Sequence, residues 1–198
     1  MNTIKNLMDM KNRTALITGA GGHLGRAICS VLSELNCNLI LVDQNSSSLD
    51  NVKTEIEKRF DTNVDTFCVD LESPQERANL FNIISENFEV LNCLINNAAF
   101  AGDNNLDGWS TSLEGQSVET WRRAFEVNLT SVFDFSKNLS PLLSKSQNGN
   151  IINVTSIYGQ LGPDWSLYQD TEMGNPAAYA SSKGGLIQLT RWLATTLS

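Results

Sequence analysis

The sequence predicts an α/β fold, a doubly wound parallel sheet with helices on both of its faces. Three observations support this prediction. Short β-branched runs alternate with longer segments of helical period, the runs are almost continuously apolar, and no repeat or linker interrupts the alternation over the 198 residues. Near-continuous apolar runs are typical of strands buried on both faces. Strand–helix alternation implies parallel strands joined by right-handed crossovers, so we expect a single domain over residues 1–198.

The predicted elements follow one another along the chain. The β-branched runs are predicted as strands at 14–18, 38–43, 64–70, 93–98 and 150–156. The first helix has an apolar face made of Leu24, Ile28, Val31, Leu32 and Leu35. Later helices are predicted from Ser48 to Arg59, after the capping box Ser73-Pro74-Gln75-Glu76, from Ser117 to about Leu139, and from about Pro176 to the end.

The composition is that of an acidic chain without a basic surface. The net charge is −8, and lysine and arginine form no run of the kind that binds nucleic acid or an anionic membrane. Neither a signal peptide nor an apolar stretch of about 20 residues is present. We expect reduced thiols, no metal site and a cytoplasmic location, because the cysteines are scattered without metal-ligand spacing at Cys29, Cys37, Cys68 and Cys93.

The stretch "TGAGGHLG", residues 18–25, lies where the first strand passes into the first helix. Glycines let a ligand approach the backbone, and a helix N-terminus attracts phosphate, so this turn predicts a dinucleotide site. Asp43 ends the second strand, where a carboxylate binds the adenosine ribose and repels the extra phosphate of NADP. We therefore expect NAD rather than NADP. The turn residues assigned to the cofactor are Gly19, Gly22, His23, Leu24 and Gly25.

Two of these assignments have simpler alternatives. Asp43 is also explained as a solvated residue at a strand end. His23, the only histidine, is either a tolerated turn residue or a hydrogen-bond donor to phosphate or ribose.

Five ordered motifs carry a resemblance to a known family. They are "TGAGGHLG", "NNAA" (96–99), "VNL" (127–129), "NVTSIYG" (153–159) and "YASSK" (179–183). In this order they resemble the short-chain dehydrogenases/reductases over essentially the whole chain. The resemblance implies a Rossmann-type sheet with strand order 3-2-1-4-5 and a homodimer or homotetramer, in which the helix from Ser117 and the C-terminal helix pair across a two-fold axis.

A candidate acid/base group lies in the last two motifs. Tyr179 and Lys183 are spaced i, i+4 and share a helix face. An ammonium beside a phenol favours the phenolate, and Ser156 at a strand end can donate to a carbonyl or alkoxide oxygen. The resemblance adds that Lys183 holds the nicotinamide ribose and that Asn128 positions a proton-relay water. It also implies cofactor contacts at Asp70, Leu71, Asn97, Ala98 and Ala99.

The chain departs from the family pattern in four places. His23 replaces the usual middle glycine, "NNAA" replaces the usual asparagine–alanine–glycine ending, and the segment from Ser156 to Tyr179 is longer than in most members. Family members also continue past the point where this chain ends, with another strand, a helix and a final strand. We expect the sequence to be a fragment that stops before the last two strands.

Two long loops, 101–121 and 157–178, contain no lysine or arginine. Their carboxylates and aromatic rings suit a hydroxyl-rich substrate, and we assign Trp165 and Tyr168 to it; the alternative is a set of solvated loop residues. The second loop also resembles bacterial family members linked to surface-glycan and flagellin-glycan sugars. The other residues of this set are Asp103, Asp107, Trp109, Asp164, Asp170 and Glu172.

The leading hypothesis is an NAD(H)-dependent oxidoreductase that interconverts a secondary alcohol and a ketone of a sugar or sugar derivative, with Tyr179 as general acid/base. The alternative is a non-catalytic dinucleotide-binding or interaction subunit. An epimerase or dehydratase of the related extended group is disfavoured by the "YASSK" motif.

Overall fold

The computed structural model describes residues 7–102, 106–171 and 173–197. Five parallel strands form one sheet in the order β3-β2-β1-β4-β5, which confirms the predicted order. The strands are β1 Thr14–Thr18, β2 Asn38–Asp43, β3 Val64–Cys68, β4 Cys93–Asn96 and β5 Asn150–Asn153. The α-helices are α1 His23–Glu34, α2 Ser46–Arg59, α3 Pro74–Asn87, α4 Val118–Phe125, α5 Ser131–Ser144 and α6 Ala177–Thr196.

The first two strands have the predicted bounds, whereas the other three end two or three residues early. The residues beyond their ends are engaged in turns instead of the sheet. Asn97 and Ala98 donate their backbone N–H groups to the Thr18 side chain, and Ser156 accepts from the N–H of Tyr158. Asn97 and Ala98 therefore lie at the carboxyl edge of the sheet, where ligands bind in parallel α/β folds.

The buried face of α1 matches the predicted one in part: Ile28 and Leu32 pack against the core of the first unit, whereas two other predicted residues do not. Leu24 and Val31 are 52% and 57% exposed, and the buried residues are Gly25, Cys29 and Ser33. The helix starts so close to the backbone below it that a Cβ on Gly25 would lie 2.1 Å from the Gly19 carbonyl oxygen. At this position only glycine permits the close approach, because any side chain would clash with the backbone of the turn.

The capping box before α3 is only half formed. The Ser73 hydroxyl accepts from the N–H of Glu76, as predicted. The Glu76 carboxylate, however, accepts from the N–H of Asp70 at 2.8 Å, and the N–H of Ser73 is bound to the Asp70 carbonyl oxygen. Glu76 thus stabilises the turn that presents Asp70.

The predicted helix from Ser117 to Leu139 is interrupted and then continues further. A π-helical segment, Glu126–Thr130, separates α4 from α5, and α5 passes through Pro141 to Ser144. Pro141 has no N–H for the Lys137 carbonyl, four residues earlier, and the Ser140 hydroxyl donates to that oxygen at 2.9 Å. The substitute hydrogen bond explains why the helix continues past the proline.

By contacts, the chain divides into two compact units, one of 1–98 with 134–154 and one of 99–133 with 155–198. The first unit contains the sheet, and residues of β1, β2, α1 and α2 form its main apolar core. The second contains a smaller cluster around Trp109, Ala124 and Ala178. In the described ranges, no helix has the length and apolarity needed to cross a membrane.

Candidate active site

The glycine turn of the first unit has the geometry of a phosphate site. The position of Gly19 favours glycine for two reasons: its φ is +65°, and a Cβ there would lie 2.8 Å from the Cα of Ala98. Gly22 precedes α1 without a side-chain cap, and the first turn of that helix contains no acidic residue. His23 and Leu24 are exposed. The start of α1 therefore presents backbone N–H groups that can donate hydrogen bonds to an anion.

Asp43 lies beside this turn at the end of β2. Its Oδ2 accepts from the N–H of Gly21 at 2.9 Å, and its Oδ1 accepts from the N–H of Asn45 at 3.0 Å. The residue is half-buried. A carboxylate retains further lone pairs after two such bonds, so Asp43 can still accept from ribose hydroxyls.

The glycine turn is held by Thr18, the last residue of β1, and by Asn97, which follows the neighbouring strand β4. The Thr18 hydroxyl oxygen accepts from the N–H groups of Asn97 and Ala98, both at 3.1 Å. The Asn97 Nδ2 donates to the carbonyl oxygens of Thr18 and Gly19, both at 3.0 Å. Asn97 thus shapes the glycine turn directly. Sequence reasoning missed Thr18, whose only signal is its place before the first glycine.

Asp70 and Leu71 follow β3 in the same unit. The Asp70 Oδ1 accepts from the N–H of Glu72 at 2.9 Å, and Asp70 is half-buried. The Leu71 side chain is 8% exposed, so it offers a ligand only a small edge. Its carbonyl accepts from Arg77, a 2% exposed residue that also pairs with Asp134 at 3.0 Å. The buried Arg77 side chain therefore fixes this turn and links it to the half-buried Asp134 carboxylate.

Tyr179 and Lys183 lie one turn apart on α6 in the second unit. Tyr179 is half-buried and packs against the cluster around Trp109. Ala99, another residue that the sequence assigned to the cofactor, is exposed. The Lys183 Nζ is 5.9 Å from the centre of the Tyr179 ring. Lys183 is 2% exposed, and burial lowers its pKa to about 8. An ammonium so poorly hydrated interacts strongly with any developing negative charge nearby.

Ser156 precedes a short 3₁₀ turn, Ile157–Gly159, that packs on α6. The Ser156 hydroxyl accepts from the N–H of Tyr158 at 3.2 Å, which leaves its own proton for another acceptor. A Cβ on Gly159 would lie 2.8 Å from the carbonyl carbon of Lys183. Because this contact is so close, the turn after Ser156 lies directly against the part of α6 that carries Lys183.

Asn128 is fully buried in the π-helical segment of the second unit. Its Oδ1 accepts from the N–H of Phe100 at 2.7 Å, and its Nδ2 donates to Ser182 at 3.0 Å and to the Phe100 carbonyl at 3.4 Å. Both amide hydrogens are therefore used within the protein. Ser182, a residue of the "YASSK" motif that sequence reasoning overlooked, links Asn128 to the tyrosine-bearing helix.

The structure separates the aromatic residues of the two long loops. Trp109 is 3% exposed, donates its Nε1–H to the Ala101 carbonyl oxygen at 2.7 Å and packs edge-on against Phe100, so its ring belongs to the apolar core of the second unit. Trp165 is 58% exposed, and its ring centre is 5.8 Å from that of Tyr168. The carboxylates Asp107, Asp164 and Asp170 are exposed, whereas Asp103 and Glu172 lie outside the described residues.

The first crossover of the sheet, with its glycine turn and neighbouring carboxylate, has the architecture of dinucleotide-binding proteins. Together with a tyrosine–lysine pair on a later helix, it defines the class as NAD(P)-dependent oxidoreductases. The chain belongs to the short chain dehydrogenase family, because the family model of that description matches residues 13–198.

Individual relatives differ in what they are named for. The 3-oxoacyl-[acyl-carrier-protein] reductase FabG of Buchnera aphidicola is 31% identical over 94% of this chain and 68% of that protein. The post-translational flagellin modification protein A of Campylobacter coli is 26% identical over 95% of this chain and 72% of that protein.

Two solved structures at 25% identity show that the same fold is found with either dinucleotide. NAD⁺-bound xylitol dehydrogenase matches with a TM-score of 0.79, over 94% of this chain and 65% of that one. A short chain dehydrogenase structure from Escherichia coli CFT073, complexed with NADPH, matches with a TM-score of 0.81, over 96% of this chain and 73% of that one.

Proposed function

We propose that this chain is an NAD(H)-dependent oxidoreductase that interconverts a secondary alcohol and a ketone of a sugar or sugar derivative. The observation that carries the proposal is the buried Lys183 ammonium beside the ring of Tyr179 on α6. Such a pair gives a phenol the means to donate and recover a proton near neutral pH.

The bound dinucleotide supplies the hydride chemistry, and the chain supplies binding, orientation and the proton path. In reduction, the Tyr179 O–H gives its proton to the oxygen of the former carbonyl; in oxidation, the phenolate takes the proton back. Lys183 stabilises the phenolate and binds the nicotinamide ribose. Ser156 donates a hydrogen bond to the reacting oxygen, and Asn128 keeps Phe100 and the tyrosine-bearing helix in place for this step.

The cofactor part of the proposal assigns the adenosine and pyrophosphate of the dinucleotide to the first unit and favours NAD over NADP. Asp43 supports it, because a carboxylate binds the ribose hydroxyls and repels a 2′-phosphate. The same proposal gives the pyrophosphate to the start of α1 and the adenine to the turn around Asp70. The residues assigned to the cofactor are Gly19, Gly22, His23, Leu24, Gly25, Asp43, Asp70, Leu71, Asn97, Ala98, Ala99, Tyr179 and Lys183.

The substrate part is supported by Trp165 and Tyr168, two aromatic rings on a loop without cations. The names of two relatives, a xylitol dehydrogenase and a flagellin modification protein, favour a sugar or polyol. The 31% identity to FabG favours a second candidate, reduction of a 3-oxoacyl group. Turnover with xylitol and NAD⁺, with ketoses and NADH, and with a 3-oxoacyl thioester and NADH separates the two.

Three further assignments belong to this proposal. Free cysteines at the described positions are typical of a reducing compartment, which favours the cytoplasm. Val118 and Trp121 of α4 are 64% and 38% exposed, which favours a homodimer or homotetramer. The chain acts as one dinucleotide-binding domain over residues 1–198.

The decisive experiment is the substitution Tyr179→Phe, which removes only the phenolic O–H. We expect turnover with the best substrate of the panel to fall by about 10²–10⁴-fold, while NADH binding, measured by fluorescence titration, stays within twofold. Retained turnover in the variant would contradict the assignment of Tyr179. The competing interpretation, a non-catalytic dinucleotide-binding subunit, predicts NADH binding with no turnover in either protein.

A further inference from the structure

The segment 160–171, which lies in the unusually long loop before α6, has few connections to the rest of its unit. Among the described residues, the hydrogen bonds of its residues 162–171 are local, with a single exception. The exception joins Tyr168 to Tyr158. Leu161, Trp165 and Leu167 are 64%, 58% and 71% exposed, so apolar packing does little to hold the segment.

The Tyr168 O–H donates to the Tyr158 hydroxyl oxygen at 2.6 Å, within the short range for O–H···O bonds. This bond, followed by burial, raises the pKa of Tyr168, which keeps the phenol protonated as a donor. Since Tyr158 accepts, its own proton can be donated to a third group.

Tyr158 is itself anchored in the site. It lies in the 3₁₀ turn Ile157–Gly159, its N–H donates to the Ser156 hydroxyl at 3.2 Å, and Gly159 packs on the backbone of Lys183. The Tyr168 ring packs beside the Trp165 ring, with 5.8 Å between the two ring centres. A continuous chain of contacts therefore connects the exposed indole of Trp165, through two phenols, to the turn that carries Ser156.

From this chain of contacts we propose that Tyr158 and Tyr168 are a positioning pair, which holds segment 160–171 against the Ser156 turn and so orients Trp165 to receive the substrate. The inference rests on the proposed function for its substrate part, but the tether itself does not depend on it. Neither phenol performs a chemical step. The Ser156 turn is the anchor and the pair acts through Trp165, so its loss should weaken substrate binding more than the chemistry.

Limited proteolysis tests the tether without any substrate. Leu161, Trp165, Leu167 and Tyr168 are sites for chymotrypsin, and a Tyr→Phe change at 158 or 168 leaves the sites in the segment cleavable. We expect Tyr158→Phe and Tyr168→Phe each to speed cleavage in 160–171 by about fivefold. The loss of one hydrogen bond should raise the population of the opened, cleavable segment by about that factor. The double variant should be cleaved no faster than either single variant, because both remove the same bond.

Tyr179→Phe is the matched control, since it removes a phenolic O–H from the same unit without touching the tether, and it should be cleaved at the wild-type rate. Wild-type cleavage rates in both tether variants, or additive effects in the double variant, would overturn the proposal.

Kinetics test the positioning role. With the best substrate of the panel, each tether variant should raise KM by three- to tenfold, the effect of one lost hydrogen bond, while kcat and the KM for NADH stay within twofold. Partial unfolding would instead lower kcat, and an unchanged substrate KM would refute the positioning role. If the wild-type chain turned over no substrate at all, the proposed function would fail, and the cleavage rates would still decide the tether.

Discussion

The carboxylate of Asp43 accepts a hydrogen bond from the backbone N–H of Gly21, 22 residues earlier, at 2.9 Å. This bond ties the end of β2 to the glycine turn and holds a negative charge beside it. A Cβ on Gly21 would lie 3.1 Å from the Asp43 Oδ2 and 2.6 Å from the Cβ of Ser48, so the contact leaves little room for any other residue.

Because this charge should discriminate between the two dinucleotides, Asp43→Asn is expected to raise the ratio of kcat/KM for NADPH to that for NADH by tenfold or more. The amide oxygen can accept from only one of the two N–H groups that bind the carboxylate, those of Gly21 and Asn45, so we also expect the melting temperature to fall by a few degrees. Steady-state kinetics with both cofactors measure the ratio. Asp50→Asn, an exposed change of the same charge on α2, should leave the ratio unchanged; equal ratios in the two variants would refute the role of Asp43.

Gly25→Ala tests the close approach of α1 to the turn. The added methyl would lie 2.1 Å from the Gly19 carbonyl oxygen and 2.8 Å from the Cα of Ala20. Forced overpacking of this kind costs about 1–3 kcal/mol, and we expect that loss in the free energy of unfolding by urea. Gly22→Ala is the control, since its methyl would meet nothing nearer than 3.4 Å and its φ is −74°. Equal stability of the two variants would show that α1 sits further from the turn.

Lys183 makes the stability of the ligand-free chain depend on pH. Burial lowers its pKa from 10.5 to about 8, so the cost of the buried charge is complete below pH 8 and is removed as the pH rises to 10.5. Lys183→Met should therefore raise the free energy of unfolding by about 3 kcal/mol at pH 7, and the gain should fade between these two pH values.

Urea unfolding at several pH values measures this difference. Lys58→Met, which removes an exposed lysine at the end of α2, should show no such trend. A Lys183→Met protein less stable than wild type at pH 7 would mean that the interactions of the ammonium outweigh its burial.

The four cysteines should react very unequally with a thiol reagent. Burial raises the pKa of Cys29 and Cys37 to about 12 and that of Cys93 to about 11, whereas Cys68 is exposed at the end of β3. In the native chain at pH 8, one thiol per chain should react rapidly with Ellman's reagent, and Cys68→Ser should abolish that phase. Cys68 pairs in register with Asp43, so NADH should slow the reaction. Rapid reaction of two or more thiols would contradict the buried positions.

The features that sequence reasoning predicted are those encoded locally. Strand–helix alternation, glycines at the first turn, and the i, i+4 spacing of Tyr179 and Lys183 each lie within a short window, and the structure has the strand order that the family resemblance implied. The residues near the sheet edge could be named because parallel strands end at one edge.

The features it missed depend on distances between segments. Apolar periodicity marked Leu24 and Val31 as buried, but the start of the helix approaches the glycine turn so closely that the buried side is centred on Gly25 and Cys29, and Leu24 and Val31 face away from it. Trp109 carries an indole N–H and lies in a long loop, which suggests exposure. The Ala101 carbonyl oxygen accepts a hydrogen bond from this N–H, and the ring can therefore be buried. Nothing local reveals such partners.

The Asn97 side chain bonds the carbonyl oxygens of Thr18 and Gly19, residues 79 and 78 positions earlier. A growing polypeptide that has emerged only as far as β3 already contains every glycine of the first turn, yet lacks the amide that gives the turn its shape. Contacts of such long range close slowly during folding. Competence to capture a dinucleotide should therefore arise only after β4 has emerged, so the cofactor would bind a turn that is already closed rather than help to close it.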